Sequence, residues 1–269
     1  MDSMPDHYVK KERGGVTFFS FPLLDREKWL IHGVSTRRFS GEGESRDFTL
    51  GYSPHLDEAV VAANREVFLR ALPAEGYAVL PCRQIHSDRV SMIDEKNAYS
   101  PDILCRDGSV THVRRILLPV VTADCAAVFF ADPGKKAIGA VHVGWRGLLK
   151  GIVSRAVDLF RHAYKSHVPG MLAAIGPCLG PCCFEVGWDV AEKFSRVFPL
   201  VPEAIITGAG EKPVLNLPVL ISSELQRSGF RHERITSLSL CTRCHPDLFY
   251  SYRREGKQAG RMLGVIGIQ

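Results

Sequence analysis

The chain has 269 residues, a formal net charge of +5, 45% hydrophobic residues and 23% charged residues. Those proportions belong to a globular protein and exclude disorder. No apolar run approaches the ~18–20 residues of a membrane span, and scattered basic residues are too weak a footprint for nucleic acid, although they suit a small anionic substrate.

The N-terminus, MDSMPDHYVKKERGG, is polar and lacks the apolar core of a secretory signal, so a cytoplasmic protein is expected. Residues 1–15 read as a mobile leader and 16–269 as one domain. Val16–Leu24 and Trp29–Ser35 are short, apolar and rich in β-formers, the marks of strands. Ser35-Thr36-Arg37-Arg38 then opens a polar, Gly-rich loop, where Arg37 is either an anion-gripping fork or part of a solvated basic turn. Asp57 caps a helix predicted to run to Leu72, and Tyr77–Arg83 reads as a strand leading into Gln84-Ile85-His86, which places His86 on a β-segment. Ala126–Ala131 and Ala137–Val143 are apolar at both parities, as strands buried on both faces are. Gly144-Trp145-Arg146-Gly147 turns the chain into a helix predicted over 148–164. A strand at Met171–Ile175 ends in GPCLGPCCFEVG, helices follow over 187–198 and from Leu217, capped by Asn216, and strands close the chain at Ile235–Cys241 and Met262–Ile268. Interleaved helices, strands and hairpins point to a single α+β domain with mixed sheets.

The two central strands carry the chemistry. If Pro133-Gly134 is the tip of a two-residue turn, Cys125 falls opposite His142, and opposed side chains have Cβ atoms roughly 4.5–5.5 Å apart. A longer loop would shift that pairing. One thiolate and one imidazole so placed either share a metal ion or form a nucleophilic dyad in which His142 takes the thiol proton. Asp124, next in sequence to Cys125, points to the other face of an extended strand and is a poor candidate to orient that dyad. Two imidazoles and a thiolate suit Zn2+, or Cu2+ by softness. Three protein ligands with a fourth position open define a catalytic rather than a structural zinc, which lowers the pKa of bound water to ~7. There is no GxGxxG, P-loop or GxSxG motif.

Eight cysteines, at 82, 105, 125, 178, 182, 183, 241 and 244, suggest thiols or ligands rather than a disulfide framework. Cys241-Thr-Arg-Cys244 with Cys182-Cys183 would make a second zinc site, but Cys178, Cys182 and Cys183 do not form a second CxxC, and plain thiols are the expectation.

QIHSDRV, TADCAAVFFAD, GAVHVGWRGLLKGI, IGPCLGPCCFEVG and SYRREGKQAGRMLGVIGI closely resemble the YfiH, or laccase-domain, family, from about residue 32 to the end. The resemblance implies a layered α/β/β/α fold similar to the catalytic domain of cytotoxic necrotizing factor, and a catalytic zinc held by His86, Cys125 and His142. Proteins of the family have been called purine nucleoside phosphorylases with adenosine deaminase activity, polyphenol oxidases and peptidoglycan editing factors. The purine reading implies phosphorolysis of adenosine, inosine, guanosine or methylthioadenosine and deamination of adenosine. The expected partners are therefore a nucleoside and phosphate, with no nucleic acid or membrane. In that reading Arg37 or Arg146 grips phosphate, Gln84 orients a ligand or the substrate edge, and Glu185 is an acid/base or an ion-pair partner. Arg146 serves equally well as a pin for its turn. Arg38-Phe39 stands where many relatives carry Gly-Gly. Three rivals follow: a Cys125/His142 amidohydrolase editing peptidoglycan precursors, a copper-dependent phenol oxidase, and a non-catalytic zinc-binding module. With ten His but no HxH pair, the multicopper reading is the least favoured.

Overall fold

The structure is a computed structural model, and it describes residues 8–41, 44–52, 56–100, 103–206 and 212–269. Two mixed sheets make its centre. The first runs in the order Val9–Arg13, Val16–Ser20, Leu30–Gly41, Met262–Ile268, Ile116–Thr122 and Ala78–Val79, with Glu44–Asp47 paired to the long third strand. The second runs Ile235–Ser237, Leu172–Ile175, Ala126–Asp132, Ala137–Val143, Gly108–Thr111 and Val90–Ile93.

The alternation of side chains sets the layers. Ala127, Phe129 and Ala131 pack with Ile138, Ala140, Leu118 and Ile266, so the two sheets meet face to face. Val128 and Phe130 point the other way, onto Val153, Ala156 and Phe160 of the helix Ile152–Tyr164 and Leu220 and Ile221 of Leu217–Arg227. On the far side of the first sheet, Phe68 and Leu72 close a third cluster around Val265 and Leu117. The expected α/β/β/α order is therefore present. Truncating a fully buried ring such as Phe129 to Ala in such a layer costs about 3–5 kcal/mol.

Several elements differ in detail from the sequence expectation. Val9–Arg13, assigned to a mobile leader, is a strand paired to Val16–Ser20, while residues 1–7 lie outside the described residues. The strand expected to run to Leu24 stops at Ser20 because Pro22 starts the short helix Pro22–Asp25. The expected strand over Tyr77–Arg83 splits into Ala78–Val79 and Cys82–Arg83, which join different sheets, because Pro81 cannot donate to a ladder. The helix expected over 148–164 is two helices, Trp145–Leu149 and Ile152–Tyr164, hinged at Gly151, whose φ of 79 is in the left-handed region.

Candidate metal centre

The hairpin that carries the site keeps its expected face but not its expected register. His142 pairs with Ala127, not with Cys125. The connection is four residues, Pro133 to Lys136. Asp132 Oδ1 accepts the amides of Gly134 (2.9 Å) and Lys135 (3.1 Å), and Lys136 has a φ of 49. L-Pro does not suit the two-residue primed turn that the expected pairing requires. The slip is two residues, so parity survives and Cys125 and His142 still face the same layer, between the sheets.

Cys125 lies where the chain crosses from one sheet to the other, between Ile116–Thr122 and Ala126–Asp132. Its cross-strand neighbour is Gly144. A Cβ there would lie 2.9 Å from Cys125 Sγ and 3.5 Å from His86 Cδ2, so only glycine leaves room. His86 comes from a bend rather than a β-segment, with a φ of 56. The ligand atoms of His86, Cys125 and His142 lie within 4.8 Å of one another, and the two imidazole rings meet edge to face with centroids 4.8 Å apart.

Asp107 organises these ligands, and sequence reasoning missed it. Its buried carboxylate accepts the His86 amide at 2.9 Å, the Ser87 amide at 2.6 Å, the Ser87 hydroxyl at 2.7 Å and, bifurcated, the Ile85 amide at 3.2 Å. The same group holds His142 Nδ1 at 2.9 Å. One side chain thus shapes the bend that presents His86 and turns Nε2 of His142 toward Cys125, the carboxylate–histidine arrangement that supports metal ligands. Burial alone would raise the Asp107 pKa, but hydrogen bonds from His142 and Ser87 hold it well below the usual carboxylate range. Burial would likewise raise the Cys125 thiol, but His142 and then His86 bring it down to about 6. His142 moves the opposite way: burial lowers it, yet Cys125 and Asp107 outweigh that and raise it to about 9. Without a metal, the pair is a thiolate beside an imidazolium. With one, the same soft thiolate and oriented imidazoles form a donor set suited to zinc or copper.

The centre lies in a cavity of about 840 Å³, within the usual range for a small-molecule site. Its described lining includes Arg65, Arg83, Arg146, Arg253 and Arg261 and one carboxylate, Asp124. Asp124 is already engaged, accepting from the Thr242 hydroxyl and the Arg253 amide, both at 2.6 Å. Arg146 is exposed beside Trp145, with its guanidinium 4.2 Å from the ring centroid. Tyr52, Ile103, Leu179, Phe184 and Leu217 supply apolar wall.

Two expected substrate residues are elsewhere. Arg37 does not line the cavity. Its Nη1 meets Glu255 at 2.7 Å and its guanidinium stacks 4.5 Å over Tyr250. Glu185 is also outside the lining, with its carbonyl accepting from Arg253. Gln84 lines the cavity, but its side chain imitates a strand partner, donating to the Val121 carbonyl at 2.8 Å and accepting the Val121 amide at 2.7 Å. It fixes the chain just ahead of His86.

With this geometry in hand, comparison with known proteins places the chain. The family described as "Multi-copper polyphenol oxidoreductase laccase" matches residues 31–269. The chain belongs to this laccase-domain family. Among curated relatives, the human protein named purine nucleoside phosphorylase LACC1 is 30% identical over 267 residues, covering 96% of this chain and 59% of the relative. This chain therefore spans well under two thirds of the human protein's length. Purine nucleoside phosphorylase YlmD of Bacillus subtilis is 29% identical over 252 residues, with 90% of each covered. Among solved structures, YlmD of Geobacillus stearothermophilus superposes with a TM-score of 0.87 at 25% identity, covering 98% of this chain and all of that one. The hypothetical protein YfiH of Bacillus licheniformis gives 0.86 at 26% identity over the same shares. The laccase-domain fold is thus shared from end to end with these proteins. Among the described residues, no helix is long and apolar enough to cross a membrane.

Proposed function

We propose that this laccase-domain protein is a metal-dependent purine nucleoside enzyme. It cleaves adenosine, inosine, guanosine or methylthioadenosine with phosphate to base and pentose 1-phosphate, and it deaminates adenosine. The relatives' shared name, purine nucleoside phosphorylase, supports the substrate class. The observation that carries the reading is the convergence of His86, Cys125 and His142 in a cavity whose described lining has five arginines and one occupied carboxylate.

Zinc is the favoured occupant, with copper the alternative at the same ligands, and it would supply Lewis-acid polarisation of an oxygen at that point. The protein's own groups do the rest. Arg83 and Arg146, both exposed at the cavity, offer forked donors to phosphate. Trp145, Tyr52, Phe184 and Leu217 offer flat and apolar surface to a purine. Asp107 keeps the proton of His142 on Nδ1 and away from the cluster. The test is release of base from each nucleoside by metal-replete protein, with and without phosphate, and of inosine from adenosine. Absence of both products would refute the proposal.

A second reading has its own support. A Cys125 thiol brought to about 6 beside His142 is also an activated nucleophile, as an amidohydrolase acting on peptidoglycan precursors would need. It requires activity that survives chelation and an adduct on Cys125.

A further inference from the structure

The cysteines of two separate loops, which the sequence left as plain thiols, come together outside the cavity. Cys182 and Cys183 lie in the turn that follows Leu172–Ile175, and Cys241 and Cys244 in the segment after Ile235–Ser237. Their four sulfurs lie within 4.8 Å of one another. Cys244 Sγ is 3.4 Å from both Cys182 Sγ and Cys183 Sγ. That is too long for a disulfide, which needs about 2.05 Å. Around a tetrahedral zinc with Zn–S of ~2.3 Å, sulfurs stand about 3.8 Å apart, so these positions bracket the required spacing.

The surroundings also have the form of a site. The backbone N–H groups of Gly180, Arg243 and Cys244 approach the Cys241 sulfur, the wrapping expected of a Cys-x-x-Cys turn closed around a ligand. Arg243 Nη1 reaches Cys183 Sγ at 3.7 Å and places positive charge beside a set that would carry four thiolates. Arg254 Nη1 donates to the carbonyls of Thr242 (3.1 Å) and Arg243 (2.9 Å), fixing the turn from below. Gly180 passes close by, and a Cβ there would lie 3.5 Å from Cys182 Sγ.

We propose that Cys182, Cys183, Cys241 and Cys244 bind a second zinc ion, separate from the centre in the cavity and structural in role. Four protein thiolates close the coordination sphere and leave no position for substrate. Binding displaces the thiol protons to solvent and changes no oxidation state. The ion joins two loops about sixty residues apart in sequence, where closing the loop by chain contacts alone is entropically costly. Those loops carry cavity wall: Leu179 and Phe184 from one, Tyr252 and Arg253 from just beyond the other. Thr242, inside the Cys-x-x-Cys turn, donates to Asp124, the neighbour of Cys125. The second ion thus braces the wall beside the first.

The experiment is metal analysis of the full chain, purified from zinc-supplemented cells in thiol-reducing buffer. Wild type is expected to carry about two zinc ions per chain, Cys125→Ala about one, Cys182→Ser/Cys244→Ser about one, and the combined variant almost none. Cobalt is then substituted into Cys125→Ala, which is expected to develop intense thiolate-to-metal absorption with the bands of tetrahedral Co2+. This second readout needs no variant of the four cysteines and so does not depend on their replacement being tolerated. Unchanged zinc content in Cys182→Ser/Cys244→Ser overturns the proposal, as does a cobalt spectrum without thiolate bands. An intact mass two hydrogens light, marking a disulfide among the four, also overturns it. Because each site is counted in the absence of the other, an empty cavity centre leaves this result unaffected.

Discussion

Asp107→Asn tests the logic of the centre most directly. The change alters one atom, but every oxygen of that carboxylate is in use. If the new NH2 replaces Oδ2, it faces the Ser87 amide now at 2.6 Å, and two donors oppose each other in a buried place. An unsatisfied buried donor costs about 1–3 kcal/mol, which in a chain of this size lowers Tm by roughly 2–4 °C per kcal/mol. If the NH2 replaces Oδ1, it faces His142 Nδ1, now at 2.9 Å, and favours the tautomer with its proton on Nε2. That proton occupies the nitrogen turned toward the cluster. Either flip weakens metal binding, and loss of a carboxylate behind a ligating histidine typically costs 10–100-fold in affinity, or about 1.4–2.8 kcal/mol. Competition against a chromophoric chelator measures the affinity, and calorimetry the stability. Asp107→Asn protein that holds zinc as tightly as wild type would show that neither the bend at Ile85–Ser87 nor the His142 tautomer depends on this carboxylate.

Further outcomes are expected. In chelator-treated protein, alkylation of Cys125 should rise through pH about 6, and in His142→Asn the rise should move toward 9 or above, because burial alone raises that thiol. The same pair nearly cancels in the pH dependence of stability of the metal-free chain. The Cys125 contribution is fully present above its ordinary 9 and is lost as pH falls to about 6, while the His142 contribution is fully present below its ordinary 6.5 and is lost as pH rises to about 9. The opposing slopes leave the pair's effect on Tm small between these limits, and a steep change in Tm across that range that disappears in His142→Asn would contradict the pairing. Gly144→Ala should reduce bound zinc, measured by metal analysis, because its Cβ would stand 2.9 Å from Cys125 Sγ. Arg146→Ala should raise the KM for phosphate about 10–100-fold, the value of a charged hydrogen bond of roughly 1.5–3 kcal/mol. Arg37→Ala should leave that KM alone and lower Tm instead, since Arg37 is committed to Glu255 and Tyr250.

The layers and the pair Cys125/His142 were legible in the sequence because both follow from period-two alternation, which survives a register error of two. The register itself was not legible, since it depends on whether Pro133-Gly134 is the whole turn or half of it. His86 joined the pair only through family resemblance: a bend with positive φ has no periodicity to read. Asp107 was missed because it sits at the start of Gly108–Thr111, a short strand within an irregular stretch, and only its pairing with Ala137–Val143 brings it under His142. The four cysteines escaped for a related reason. Adjacent residues point to opposite faces in a strand, whereas Cys182 and Cys183 occupy a turn that lets both sulfurs reach Cys244. The sequence could not show where Arg37 sits, because its neighbours Glu255 and Tyr250 are distant in sequence and hold it outside the cavity lining.

The turn from Pro133 to Lys136 offers a practical use. Its tip, Gly134 to Lys136, is exposed, and the seven-residue strand Ala126–Asp132 separates it from Cys125. At about 3.3 Å per residue, that is a spacer of roughly 23 Å, buried on both sides and therefore stiff. A dye or an immobilisation tag grafted at Gly134-Lys135 would stand off from Cys125 by about that distance. The same hairpin that carries His142 thus provides a fixed-length handle for single-molecule or surface-based measurements of ligand binding.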